Sequence, residues 1–319
     1  MSIKSIAYHV QGGIGDVILA NRFIPAIKET YPNAKIKLFY EKDRPNHIFN
    51  LWPDNYELGF EKIYWKSEHF TVKSQFGVED IPAHPDNLTE ESHEKFKEFD
   101  KYYYAWNDGL NFLQWTDLPI LNYFRHFPHP TADLTQFLTG PILREDFPNK
   151  KYLLCHLFSR PSSERKLDPV YIASLLKKLE EKLSSDYLFY IICEEKYQNF
   201  YARMVTDRIR TIDCSVEEIV FLAKFCSAFI GIDSMCRLWP AMFGKPVLCF
   251  SDFCPSPGQM PASQIIRWHV NPSSCIPSNY DVDKICKMIN NVIQNPIAAM
   301  FPTIDSNFNQ VILDRNLER

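Results

Sequence analysis

The sequence predicts an α/β protein of two successive halves, each a parallel β-sheet wound with helices. Three observations lead there. Short apolar runs alternate with amphipathic runs along both halves, the order that gives parallel sheets covered on both faces. A glycine turn, Gln11-Gly12-Gly13-Ile14-Gly15-Asp16-Val17, joins the first apolar run to the first amphipathic one. A second strand-to-helix junction, Gly231-Ile232-Asp233-Ser234-Met235, stands late in the chain.

The elements follow in order. Ser5–Val10 is apolar and reads as a strand, and 16–30 has helical spacing. Tyr31-Pro32-Asn33-Ala34 stops that helix ahead of a strand at 35–40. A strand is expected at 62–65, and 66–87 reads as loop. Beyond it come a helix at 92–99, a strand at 101–106 and a helix at 118–127. This region is rich in aromatics that should mostly be core, with Trp106 and Trp115 as candidates for a pocket wall. Residues 141–151, with two prolines among charges, read as a linker.

The second half repeats the alternation. Its strands are expected at 152–158, 187–193, around 211–212, at Ala228–Ile232 and at Val247–Ser251. Its helices are expected at 169–183, 194–207, 216–226, 235–243 and 281–294, with a weaker one at 305–316. Two domains result: 1–147, and 148–300 with residues 301–319 as a C-terminal helix packing back on the first. Both are Rossmann-like and are expected to face a central cleft.

Composition narrows the function. The 319 residues are 45% hydrophobic and 23% charged, with a net charge of −4, so no basic surface for nucleic acid is indicated. No apolar stretch reaches the roughly 18 residues that suggest a membrane span. The nine cysteines are scattered and form no C-x-x-C, and several, such as Cys155, Cys193, Cys226 and Cys249, lie within apolar runs. That pattern, with an amino terminus lacking the apolar core of a signal peptide, points to a reducing compartment and a cytoplasmic protein. His126 and His129 flank Pro128 without further ligands, so no metal site is expected.

Three segments carry chemistry. Asp16 stands where Gly12, Gly13 and Gly15 let a ligand approach bare backbone. It is a candidate general base, and equally a candidate helix cap. A dinucleotide fingerprint would need glycine where Ile18 stands, and no Gly-Lys-Ser/Thr occurs. Glu41 would be the ribose acid in that rejected reading. The loop Ser159-Arg160-Pro161-Ser162-Ser163-Glu164-Arg165-Lys166 follows a strand and offers cations and hydroxyls suited to a diphosphate. It also reads as a solvated charged loop. Asp233 and Ser234 open a helix, where amides favour an anion, or simply cap it. The only D-x-D, Asp281-Val282-Asp283, opens a helix and is read as a cap.

Gly13-Ile14-Gly15-Asp16, with Pro25 further along, and Gly231-Ile232-Asp233-Ser234 leading to Gly244-Lys245-Pro246 together resemble glycosyltransferase family 9. Its best-known members are the ADP-heptose:lipopolysaccharide heptosyltransferases, of GT-B fold. The resemblance implies an acceptor-side first domain and a second domain that binds a nucleotide-sugar. It implies Asp16 as catalytic base and Ser159 and Lys166 on the diphosphate, with Arg160 and Arg165 nearby. Asp233, Ser234 and Met235 would form the donor turn, and Glu194 or Glu195 would meet the ribose or base. The family pattern has glycine where Met235 stands and histidine where Leu238 stands; the neighbouring Arg237 is positioned to reach a phosphate instead.

The implied activity is inverting, metal-independent transfer of a sugar from a nucleotide-sugar to a hydroxyl acceptor, which is a glycan, a lipopolysaccharide-like molecule or a protein. No cofactor is implied beyond the co-substrate. Peripheral contact with a membrane stays compatible with that acceptor. The alternatives are a catalytically inactive nucleotide-sugar-binding protein and a GT-B nucleotide-sugar epimerase.

Overall fold

The computed structural model describes residues 2–10, 14–21, 23–41, 51, 60–63, 70–74, 77–81, 90–105, 118, 151–158, 167–232, 234–251, 266–270 and 281–294. They divide into two units, the first holding the described residues up to 118 and the second those from 151 onward.

The first unit is built on four parallel strands. β1 (Ser5–Val10) lies between β2 (Lys35–Glu41) and β6 (Lys101–Ala105), and β3 (Phe60–Ile63) extends the sheet beyond β2. Register is fixed by pairs such as Ala7 with Lys37 on one side and with Tyr102 on the other. Being central, β1 is covered on both faces, so Ile6, Ala7, Tyr8, His9 and Val10 are all buried. α1 (Ile14–Asn21) and α2 (Phe23–Thr30) follow β1, and α3 (Glu90–Lys97) precedes β6. Phe96 of α3 and Phe99 just beyond it meet the Phe39 ring edge-on at 4.7 and 5.4 Å. The opposite end of the sheet is tied by Asp100, whose Oδ2 accepts the amides of Lys4 and Ser5 at 2.7 and 3.0 Å.

The second unit has six parallel strands: β7 (Lys151–His156), β8 (Tyr187–Ile192), β9 (Ile209–Ile212), β10 (Ala228–Ile232), β11 (Val247–Ser251) and β12 (Ile266–Val270). Their order across the sheet is β12-β11-β10-β7-β8-β9. The chain starts in the middle, winds outward through β8 and β9, then returns to the other side of β7. α4 (Pro169–Lys182) buries Tyr171, Ile172, Leu175, Leu176 and Leu179 as a stripe at helical spacing. Proline opens α4, and Asp168 caps it by accepting the amides of Val170 and Tyr171 at 2.8 and 3.1 Å. Arg208 closes the turn beyond its far end, donating to the carbonyls of Glu180, Leu183, Ser184 and Tyr187. α5 (Gln198–Tyr201) follows β8, α6 (Val216–Phe225) carries a full Ser215/Glu218 capping box, α7 (Leu238–Met242) follows β10, and α8 (Val282–Gln294) packs on α4.

The D-x-D of the sequence is structural. Asp281 Oδ1 accepts the amides of Asp283 and Lys284, and Asp283 pairs with Lys178 at 2.5 Å. Cys155, Cys193, Cys226 and Cys249 are buried core residues, as their apolar surroundings predict.

Other expectations change. Helix is described at Ile14–Asn21 and Phe23–Thr30, within and just ahead of the expected 16–30, with its first described residue at Ile14. Asp16 is therefore the third helical residue and not the residue before the helix. Part of the expected loop 66–87 is a hairpin, β4 (Phe70–Ser74) against antiparallel β5 (Gly77–Ile81). Its apolar positions, Phe70, Val72, Val78 and Ile81, are sparse and do not keep one period of two across both strands, so the segment carries no clear strand signal. The 194–207 helix shrinks to a 3-10 turn, Glu195–Tyr197, and the four-residue α5; beyond Tyr201 the chain turns toward β9, the Met204 amide donating to the Tyr201 carbonyl at 2.7 Å and the Thr206 amide to the Ile209 carbonyl at 3.0 Å. β12 was not anticipated. The expected helices at 118–127 (Leu118 apart), 305–316 and 301–319, the 147/148 boundary, Trp106, Trp115, His126 and His129 lie outside the described residues.

Candidate functional site

In an open parallel sheet, ligands bind beyond the carboxyl ends of the strands, where the winding direction reverses. In the second unit that point lies between β7 and β10. The two strands run side by side there, with Gly231 opposite His156. Gly231 is glycine for a packing reason. A Cβ at this position would stand 2.6 Å from the His156 carbonyl oxygen and 2.7 Å from the buried Phe229 ring.

The strand ends carry polar groups. His156 Nδ1 lies 2.8 Å from Ser234 Oγ, so a side chain at the end of β7 is bonded across the switch point to the turn after β10. Ser234 has extended backbone angles and makes no side-chain cap bond, although it precedes a helical turn. Burial pushes up the pKa of the Cys236 thiol, and Ser234 lies close enough to pull it down against that push. Glu194, exposed at the end of β8, pairs with Lys196 and lies close enough for its charge to act on His156. Glu195 is held differently: its amide donates to Asp213 Oδ2 at 3.1 Å. Phe158, just past β7, packs on Phe200 at 4.6 Å and Tyr197 at 5.8 Å, joining the segments that follow β7 and β8.

The turn after Ser234 differs from expectation. Residues 235–243 do not form one helix; Met235–Arg237 is a 3-10 turn and α7 has five residues. Pro240 lacks the amide a continuous ladder requires. So short a helix supplies little dipole, and any anion here would rely on side chains and individual amides. Arg237 is 4% exposed, an arginine folded into the body of the unit, and its amide donates to the Ser234 carbonyl at 3.2 Å. Leu238 is buried as a core residue and Met235 is half-buried.

In the first unit the reversal falls between β1 and β6, and the glycine turn follows β1. Tyr8 Oη donates to the Ala20 carbonyl at 2.8 Å, which pins α1 to the strand. Gly15 is half-buried, and Asp16 sits in the first turn of α1, where helical amides favour an acid. The side chain of Asp16 lies outside the described groups, as do Gly12, Gly13, Ser159, Arg160, Arg165, Lys166 and Asp233.

The structure thus brings Ser234 and Glu194 to one strand-end region and adds His156, which sequence reasoning missed. Its signal was present: a lone imidazole at the end of an apolar strand, next to a polar loop. Among the described residues no cluster of His, Cys, Asp and Glu has the makings of a metal site, and no helix is long and apolar enough to cross a membrane.

Burial leaves both strand-end histidines neutral. His9 Nδ1 bonds Tyr102 Oη at 2.9 Å inside the first core, and its pKa falls to about 3. Desolvation lowers His156 to about 4, against a small upward pull from Glu194. Unfolded histidine binds a proton below about 6.5, whereas the folded groups do so only below these values. Stability should therefore fall as pH drops from about 6.5 to about 4, by at most about 1.4 kcal/mol per pH unit for each histidine and less at half-buried His156. Melting temperatures recorded from pH 7 to 4.5 should decline steadily, with a shallower decline for His9→Gln. A flat profile in the native chain would contradict this.

No family model and no curated protein matches the sequence. Solved structures do. A glycosyl transferase family 9 protein from Veillonella parvula superposes with a TM-score of 0.62 at 11% identity, over 92% of this chain and 99% of that one. The ADP-heptose lipopolysaccharide heptosyltransferase II of E. coli gives 0.58 at 11% identity, over 92% and 99%. A putative UDP-N-acetylglucosamine 2-epimerase from Listeria monocytogenes gives 0.54 at 8% identity, over 94% and 90%. At such identities the likeness is one of fold: an α/β chain with parallel sheets, built like the GT-B glycosyltransferases.

Proposed function

We propose that this chain is an inverting, metal-independent glycosyltransferase that moves a sugar from a nucleotide-sugar to a hydroxyl acceptor. The observation that carries this reading is the polar set His156, Ser234 and Glu194 at the switch point of the second sheet, where an open parallel sheet binds a nucleotide. The first unit supports it with an acid, Asp16, in the helical turn that follows the glycine segment.

In this reading the second unit holds the donor. Glu194 or Glu195 meets the ribose or base, and Ser159, Arg160, Arg165, Lys166, Asp233, Ser234, the Met235 amide and Arg237 surround the diphosphate. Asp16 takes the proton of the acceptor hydroxyl while that oxygen attacks the anomeric carbon on the face opposite the diphosphate. A new glycosidic bond forms, the bond from that carbon to the phosphate oxygen breaks, and the configuration inverts. The nucleoside diphosphate leaves with added negative charge, which the cations and the Ser234 hydroxyl stabilise. These groups supply the charge that a divalent ion would otherwise provide. A protein so equipped works in the cytoplasm, where nucleotide-sugars are found.

Thermal-shift titration with ADP-, GDP-, UDP- and CMP-linked sugars tests the reading. A ligand that binds only the folded chain raises stability by about 2.7 kcal/mol at 100 times its Kd. One base should shift the melting temperature far more than the others, and transfer should persist in EDTA. No shift with any of the four would refute a donor site. The likeness to the epimerase fold favours a second reading, an isomerisation of the bound nucleotide-sugar. An altered sugar nucleotide formed without any acceptor would select it.

A further inference from the structure

The bond between His156 and Ser234 has a direction, and the direction decides what Ser234 can offer. We propose that His156 is a positioning residue: its Nδ1–H donates to Ser234 Oγ, so that the single hydroxyl hydrogen of Ser234 is left to point at a phosphate oxygen of a bound nucleoside diphosphate. This rests on the donor site proposed above for the second unit.

A serine hydroxyl has one hydrogen and two lone pairs. Among the described residues Ser234 Oγ meets His156 Nδ1 at 2.8 Å and acts on the nearby Cys236 thiol. If the hydroxyl gave its hydrogen to Nδ1, only lone pairs would face an anion, and lone pairs repel one. If Nδ1–H is the donor, the hydrogen rests on the Cys236 sulfur in the free protein. A thiol sulfur is a weak acceptor and gives way to a phosphate oxygen.

Three features of the structure fit this arrangement. Ser234 occupies the position before a helical turn yet makes no cap bond, so its hydroxyl is not committed to the backbone. Gly231 lets β10 lie against the His156 carbonyl, which sets the distance between the imidazole and the turn. His156 is neutral at neutral pH because it is desolvated, so one ring nitrogen carries the hydrogen and the other does not.

Two measurements decide it. The first needs no ligand: ¹H–¹⁵N correlation of the imidazoles in the native chain at pH 7, with His156 identified by the signals missing in His156→Asn. The proposal requires hydrogen on Nδ1; hydrogen on Nε2 overturns it. The second is titration calorimetry with ADP, GDP and UDP. His156→Ala should weaken the best of these about tenfold or more, the worth of a hydrogen bond to a charged group. It should raise the donor KM more than it lowers kcat. His156→Asn, whose amide N–H can stand where Nδ1–H stood, should recover most of the loss. In a Ser234→Ala background, His156→Ala should cost little more.

Equal weakening by Asn and Ala, or full additivity with Ser234→Ala, overturns the role. If no nucleoside diphosphate binds the native chain, the donor reading is what fails, and the tautomer still judges the direction of the bond.

Discussion

Asp16→Asn should reduce sugar transfer by at least about 10²-fold, and up to about 10⁴-fold, while the chain folds as before. General-base catalysis typically contributes in that range. Asparagine keeps the shape and some hydrogen bonding of the acid but cannot accept the acceptor's proton. The substitution should leave the donor Kd nearly unchanged, because the donor is assigned to the other unit. The fold should be insensitive because Asp16 is the third residue of α1 and not the residue that caps it, so the cost is at most the loss of a favourable charge near the helix start. Single-turnover transfer, donor binding and melting temperature measured on one preparation separate the two roles. A variant within threefold of native turnover would remove Asp16 as the base.

Gly231→Ala should have the largest effect on stability. The added methyl has no space: the His156 carbonyl is backbone in a central strand, and Phe229 is fully buried. Overpacking a tight core typically costs about 1–3 kcal/mol and occasionally more. The upper end is expected, because β10 and β7 must separate where they are hydrogen-bonded. The damage is also local to the candidate site, since the same spreading pulls His156 away from Ser234. Urea unfolding should give a midpoint well below native, and nucleoside diphosphate affinity should fall with it. An alanine variant with native stability would mean that the strands do not meet as closely at this point as described.

Much of the architecture was legible in the residues. The apolar runs that became β1, β10 and β11 have the expected limits, since a covered parallel strand is apolar throughout and its ends are marked by polar or turn residues. α4 was legible from the helical spacing of Leu175, Leu176, Leu179 and Leu183, with its start at Pro169 as expected. The 194–207 segment was misjudged because its polar residues fit a helix locally, while Tyr197, Phe200, Tyr201 and Met204 reach the core from short turns and not from one continuous helix. The β4–β5 hairpin was missed because the sequence between its strands lacks the asparagine–glycine or aspartate–glycine signal of a tight hairpin, and glycine comes only at Gly77.

The candidate site divides along the same line. Asp16 and Ser234 stood out as candidates because each lies at a strand end that the pattern of apolar runs marks out, and the strand end is where a parallel sheet is open to a ligand. Glu194 entered only through the resemblance to the glycosyltransferase family. His156 was at a strand end too, but a histidine in an apolar run reads equally as core, which is what His9 proves to be.

What the sequence by itself determined is the α/β class, the strand-end positions and the identity of the groups placed there. Those depend on local pattern, which one stretch of chain contains. What only the tertiary structure decided is that β10 returns to lie against β7, so that residues 75 apart in sequence become neighbours, Gly231 must lack a side chain and the Ser234 hydroxyl meets an imidazole instead of its own helix. Strand order is a choice among long-range pairings of similar local signature, and it is settled by how the whole sheet buries its two faces.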